Sequence, residues 1–125
     1  MRNKLKFILV LWLVVIASVS HSVENKQLVF FFASECPYCH KMAPVILKVA
    51  KKYNLPVIGS SLDGKGISGF DKPLCDLKLA RAFKIRSLPT IGGVDENKKE
   101  VGILIAGLHD ETNIENTIIN WLEGE

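Results

Sequence analysis

A chain of 125 residues, 48% hydrophobic and 23% charged, has room for a single domain with a modest core. Its net charge of +3 comes from 16 basic and 13 acidic residues, but three basic residues precede residue 7 and no acidic one precedes Glu24. The remainder is therefore balanced, and with no basic stripe interleaved with aromatics the composition argues against a nucleic-acid surface.

Arg2, Lys4 and Lys6 are followed by an unbroken apolar run over residues 7–17, with Ser18, Ser20 and Ser22 beyond it. This is the pattern of a signal peptide over residues 1–22, cleaved after Ser20 or Ser22. The run is shorter than the ~20 apolar residues of a spanning helix, and the competing reading is an uncleaved membrane anchor. Residues 23–125 are then the domain.

Residues 27–32, Gln-Leu-Val-Phe-Phe-Phe, read as a central strand buried on both faces. A turn over 33–35 leads into Cys36-Pro37-Tyr38-Cys39. Pro37 suits the first turn of a helix, where its missing N–H costs nothing. The spacing predicts a helix to about residue 53, with Val45, Ile46, Val49, Ala50 and Tyr53 inward and Lys48, Lys51 and Lys52 outward. Pro44 inside it predicts a kink. Two cysteines so spaced pair within one turn, where free backbone N–H groups and the helix dipole stabilise a thiolate. The cysteine count of three is odd, so Cys75 remains over.

A second strand is expected over 55–62. Residues 63–69 form a loop by composition, not a phosphate cradle, because no Gly-Lys-Ser/Thr follows and no helix starts there. Pro73 is expected to open a second helix of about ten residues with Leu74, Leu77, Ala80 and Phe83 inward. Cys75 is read as a small buried hydrophobe on it, intermolecular pairing being the alternative. Pro89 stands at the mouth of a strand over 91–94, followed by a turn at 95–98 and a returning strand over 101–105. Thr112 with Glu115 forms a capping-box pattern, and Ile114, Ile118, Trp121 and Leu122 give the last helix its apolar face. The fold class is α/β: a small mixed sheet flanked by helices, its first two strands parallel through a right-handed crossover.

This order resembles the thioredoxin fold over residues 26–122. Three features carry the likeness together: Cys36-x-x-Cys39 at a strand-to-helix turn, Pro44 in the first helix, and Ser87-Leu88-Pro89-Thr90 in the place of the family's cis-proline loop. Within the superfamily the chain is similar to the thioredoxin-like thiol–disulfide isomerases of bacterial conjugative transfer (type IV secretion, pilus assembly) systems. The stretches that match are Phe31 to His40, Pro44 and Ser61-Leu62-Asp63-Gly64-Lys65-Gly66; the Leu-Asp-Gly-x-Gly loop is not shared by other thioredoxins.

The resemblance implies a periplasmic enzyme, or one held at the inner membrane facing the periplasm, that oxidises or isomerises client disulfides. Cys36 is then the attacking thiolate and Cys39 the resolving thiol. Pro37 and Tyr38 tune the redox poise. His40 is a candidate stabiliser of the thiolate or else a solvated helix residue. Pro89, if cis, removes an N–H beside the sulfurs and exposes the backbone of Leu88 to an extended client segment. The implied partners are exported proteins with cysteines and a membrane or periplasmic redox partner. The redox-active disulfide serves in place of a cofactor, and no metal is implied.

Two residues depart from the thioredoxin pattern. Glu35 replaces the usual tryptophan, and Phe30 replaces the buried acid, which points away from a cytosolic reductase. Cys36 to His40 also fits the Cys-x-x-Cys-His haem motif, for which Met42 or His109 is a candidate distal ligand. A zinc site lacks a second ligand pair. A non-enzymatic assembly module of the secretion apparatus is the other alternative. Glutaredoxins share Cys-Pro-Tyr-Cys but work in the cytosol, against the export signal.

Overall fold

The computed structural model describes residues 25–124. The signal-peptide reading of residues 1–22 lies outside the described residues. The sheet is built on β1 (Lys26–Phe32), whose run of bulky residues is buried on both faces because a strand pairs on either side and helices cover both surfaces. β1 is parallel to β2 (Val57–Ser61), with Leu28 opposite Val57 and Phe32 opposite Ser61. On its other edge it is antiparallel to β3 (Thr90–Asp95), with Phe31 opposite Thr90. β4 (Glu100–Ala106) returns along β3, giving the order β2-β1-β3-β4.

Alternation along β1 divides the core in two. Leu28, Phe30 and Phe32 face α1 (Pro37–Lys52) and α3 (Glu111–Glu123), meeting Cys39, Met42, Ile46, Val49, Ile114 and Ile118. Val29 and Phe31 face the other way, toward Ala80 of α2 (Leu77–Ala82) and Phe83. α1 runs through Pro44, which lies on its exposed side, and its lysines at 48, 51 and 52 face water. Among the described residues, no helix is long and apolar enough to cross a membrane.

A buried ring anchors the segment between β2 and α2. Phe70 is buried with its centroid 5.1 Å from that of Phe30 and 5.8 Å from that of Phe32. It fits because β2 carries Gly59 there: a Cβ on Gly59 would lie 2.6 Å from Phe70 Cδ1.

Three expectations are corrected. The second helix starts at Leu77, not Pro73, because the Asp76 carboxylate caps it by accepting from the N–H groups of Lys78 and Leu79. Residues 73–75 run beside β2 instead: Leu74 N–H donates to Gly59 O and Leu74 O accepts from Ser61 N–H, satisfying backbone groups of an edge strand. Leu74 and Leu77 are each 49% exposed as a result, while Ala80 and Phe83 are buried as expected. Cys75, expected buried, is an exposed free thiol. The last helix is capped by Asp110, which accepts from Asn113 N–H, and not by Thr112. Glu115 turns to α1, where Lys52 and Tyr53 offer it stronger partners than a backbone N–H.

Candidate active site

β1 delivers the chain at Phe32 into a turn closed by Cys36 N–H donating to Ala33 O at 3.2 Å. Cys36 is the N-cap of α1, with extended backbone (φ −86°, ψ 107°), and Pro37 holds the first helical position. The cap geometry turns the Cys36 side chain over the start of the helix, where Sγ accepts from Cys39 N–H at 3.2 Å. Cys36 and Cys39 are joined as a disulfide, with Cα atoms 5.2 Å apart. The pair is asymmetric: Cys36 is half-buried and Cys39 wholly buried in the core beneath α1. Cys36 is thus the more accessible member of the pair. Tyr38 is 53% exposed on the rim, and the Lys41 ammonium lies 5.8 Å from its ring centroid.

The Leu88–Pro89 peptide bond is cis. Pro89 is buried and immediately precedes β3, so the pairing of Phe31 with Thr90 sets it at the end of the sheet where β1 turns toward Cys36. Its carbonyl accepts from Gly107 N–H at 2.7 Å, and Thr90 Oγ1 donates to Ser87 O at 2.7 Å, closing the loop from both sides. Leu88 is half-buried between the two core clusters.

The turn before Cys36 is held by a residue that composition reads as part of a surface loop. Asp63 Oδ2 accepts from Ser34 N–H at 3.0 Å and from Ser34 Oγ at 2.6 Å. Asp63 Oδ1 accepts from Lys65 N–H at 3.1 Å and lies 2.8 Å from Ser61 Oγ, which is equally close to Lys65 O. The Ser34 hydroxyl first, then that of Ser61, hold the Asp63 carboxyl well below the usual carboxylate range. On the helix side, His40 Nε2 lies 2.6 Å from Ser34 O. A carbonyl only accepts, so Nε2 is the donor. His40 thus bonds the turn backbone. Cys75 borders the same loop: a Cβ on Gly64 would lie 3.5 Å from its Sγ.

The family model described as "TraF: F plasmid transfer operon protein" matches residues 16–119. The chain belongs to the TraF family. Protein TrbB of Escherichia coli (strain K12) is 38% identical over 53 residues, which are 42% of this chain and 29% of TrbB, so the match spans under a third of that relative. Among solved structures, MTB DsbF in its mixed oxidized and reduced forms superposes with a TM-score of 0.60 at 17% identity, over 78% of this chain and 81% of that one. A thiol:disulfide interchange protein of the thioredoxin family from Chlorobium tepidum TLS gives 0.59 at 19%, over 78% and 80%. These likenesses establish the thioredoxin fold.

In this TraF-family chain Phe30 shares a core cluster with Cys39, so a fully buried ring stands where thioredoxins carry an acid, and Glu35 is exposed. Of the Cys-x-x-Cys-His residues, Cys39 is buried and bonded to Cys36, and His40 Nε2 is bonded to Ser34 O. Among the described residues, no three His, Cys, Asp or Glu side chains gather as a metal site. A thioredoxin fold with a disulfide at the first turn of α1 is competent for thiol–disulfide exchange.

Proposed function

We propose that this protein exchanges disulfides with cysteine-containing exported proteins, in the periplasm, in support of a conjugative transfer apparatus. The observation that carries the reading is the half-buried Cys36, bonded to a buried Cys39, at the N-cap of α1. In the oxidising direction a client thiolate attacks Cys36 Sγ, the Cys36–Cys39 bond breaks, and Cys39 leaves as a thiolate that takes up a proton. A second client thiolate then attacks the client sulfur of the mixed disulfide and expels Cys36. The client dithiol loses two electrons and two protons, and the Cys36–Cys39 pair gains them. In the isomerising direction the reduced Cys36 thiolate attacks a client disulfide, and Cys36 is released when a different client thiol closes the new bond.

The start of α1 favours the Cys36 thiolate because it offers N–H groups with no helical partner. The cis Leu88–Pro89 segment is read as the platform for an extended client. The basic and apolar segment at residues 1–17 and the family's place in plasmid transfer support an exported location, with either a released domain or a membrane-held one.

The test is refolding of scrambled ribonuclease and oxidation of reduced ribonuclease, with Cys36→Ala as control. Acceleration by wild type and its loss in Cys36→Ala are expected. Equal rates in the two proteins would overturn the enzyme reading in favour of a scaffold. The reduction potential of the pair then sets the direction: a value toward about −120 mV assigns an oxidase, and one near about −270 mV a reductase.

A further inference from the structure

Ser34 is two residues upstream of the attacking sulfur and has three polar groups. Each is used. Its N–H and hydroxyl both bond Asp63 Oδ2, and its carbonyl accepts from His40 Nε2. Besides the Cys36 N–H to Ala33 O bond, packing does little to hold the turn: Ala33 and Ser34 are half-buried, Glu35 is exposed, and none of the three belongs to either core cluster. Asp63 is itself fixed from the other side by Ser61 at the end of β2 and by Lys65 N–H. The carboxylate therefore ties the turn before Cys36 to the neighbouring strand, and the turn in its own right grips the first helical turn through His40.

We infer that Asp63 is a positioning residue for Cys36: acting through Ser34, it fixes the N-cap so that the Cys36 sulfur sits over the Cys39 N–H, and it thereby sets the thiolate's stability and the redox poise of the pair. The inference rests on the disulfide-exchange reading, since only then does the poise matter to function. It gives the Leu62-Asp63-Gly64-Lys65-Gly66 loop a role at the active site although it contains no reacting atom. The sign of the effect separates this from plain electrostatics. A bare negative charge nearby raises a thiol's pKa, so its removal lowers it. Removal of a brace that aligns an N–H with the sulfur raises it. The second effect dominates here because four hydrogen-bond donors already surround the Asp63 charge.

The experiment uses the reduced protein, with Cys75→Ser in every variant so that Cys36 alone is the reactive surface thiol. The Cys36 thiolate is titrated by its ultraviolet absorbance and by rate of alkylation, and the pair is equilibrated with glutathione. Asp63→Asn is expected to raise the Cys36 pKa by about one unit and to shift the glutathione equilibrium about tenfold toward the disulfide, or roughly 30 mV. Ser34→Ala, which removes one hydroxyl, is expected to move both readouts in the same direction. Ser34→Thr, which keeps the hydroxyl, is expected to restore them. In Asp63→Asn/Ser34→Ala the two shifts are expected not to add.

A fall in the Cys36 pKa on Asp63→Asn would assign a charge effect and overturn the inference. So would an unchanged pKa and potential accompanied by a lower melting temperature, which would assign a structural role. Neither readout needs a client. Loss of the enzyme reading through an active Cys36→Ala would therefore be told apart from failure of this one.

Discussion

Replacing Gly59 with alanine tests how the loop that carries Asp63 is fastened to the sheet. In the native packing the new Cβ would meet Phe70 Cδ1 at 2.6 Å, with Phe32 Cε1 and Phe70 Cβ each at 3.2 Å. Carbon atoms settle at about 3.5–4.0 Å, so the Phe70 ring would have to retreat by roughly 1 Å. It has little room, being 7% exposed and set against the rings of Phe30 and Phe32. Overpacking of this kind costs about 1–3 kcal/mol. Phe70→Ala alone should cost about 3–5 kcal/mol, from lost burial and the void left under the loop. In that background the 2.6 Å clash with Cδ1 is gone, only the 3.2 Å contacts with Phe32 Cε1 and the Cβ at position 70 remain, and alanine is preferred to glycine within a strand by roughly 0.5–1 kcal/mol, so Gly59→Ala should cost far less. The coupling between the two sites is then about 2 kcal/mol, within the span observed for residues in contact. Urea unfolding of the four proteins of the cycle measures it. Equal costs of Gly59→Ala in both backgrounds would refute the claim that Phe70 fills the space glycine leaves.

Three further outcomes are expected. In the oxidised protein a thiol reagent should titrate one thiol per chain without denaturant, and none in Cys75→Ser; a reaction that requires urea would place Cys75 in the core after all. Hydrogen bonds from Lys52 and Tyr53 hold the Glu115 carboxyl below its usual value of 4.5, so its contribution is complete above that pH and is lost as pH falls through the lowered value. The same bonds raise Lys52 above 10.5 and Tyr53 above 10.0, so their contributions are complete below those values and are lost as pH rises through the raised ones. Melting temperature against pH should therefore fall less steeply at both extremes in Glu115→Gln, and curves parallel to wild type would contradict the cluster. Asp95→Ala should cost about 1–3 kcal/mol in urea unfolding, because it removes the carboxylate 3.9 Å from the buried Lys26 ammonium, which keeps the Leu122 carbonyl and the Trp121 ring, and removes an acceptor of the Asn97 and Lys98 N–H groups. A loss under about 1 kcal/mol would show the pair to be exposed in solution.

The fold was legible where the signal is local. The run ending in Phe30-Phe31-Phe32 has no partner but a buried strand, Cys36-Pro37 marks a helix start by the chemistry of its first turn, and Asp95 to Lys98 is turn-forming in any context. Misreadings arose where two local signals compete or a distant partner decides. Pro73 and Asp76 both open helices, and only the unpaired edge of β2, which Leu74 satisfies, resolves the choice. The burial expected of Cys75 fell with it. Thr112 and Glu115 satisfy the capping rule on paper, yet Glu115 is drawn to residues 62 and 63 positions away. Asp63 was invisible as a site residue for the same reason: it meets Ser34 only because β1 and β2 are parallel neighbours that end together. A faint signal existed, in that Ser34 and Ser61-Leu62-Asp63 each follow or close a predicted strand at the end where the cysteines lie.

The place of β1 in the sheet bears on how the chain acquires its shape during synthesis. It is the first of the four strands made and, with β3, one of the two inner ones, yet it pairs with β3, whose Ile91 lies about sixty residues downstream of its partner Phe30. While the chain emerges N-terminus first, Phe30, Phe31 and Phe32 have β2 as a possible partner but must wait for β3. Pairings across so long an intervening segment close slowly. Until β3 is made, one edge of that phenylalanine-rich strand therefore lacks its partner, with Cys36 and Cys39 a few residues beyond it. The interval before that edge is covered is built into the order of the strands.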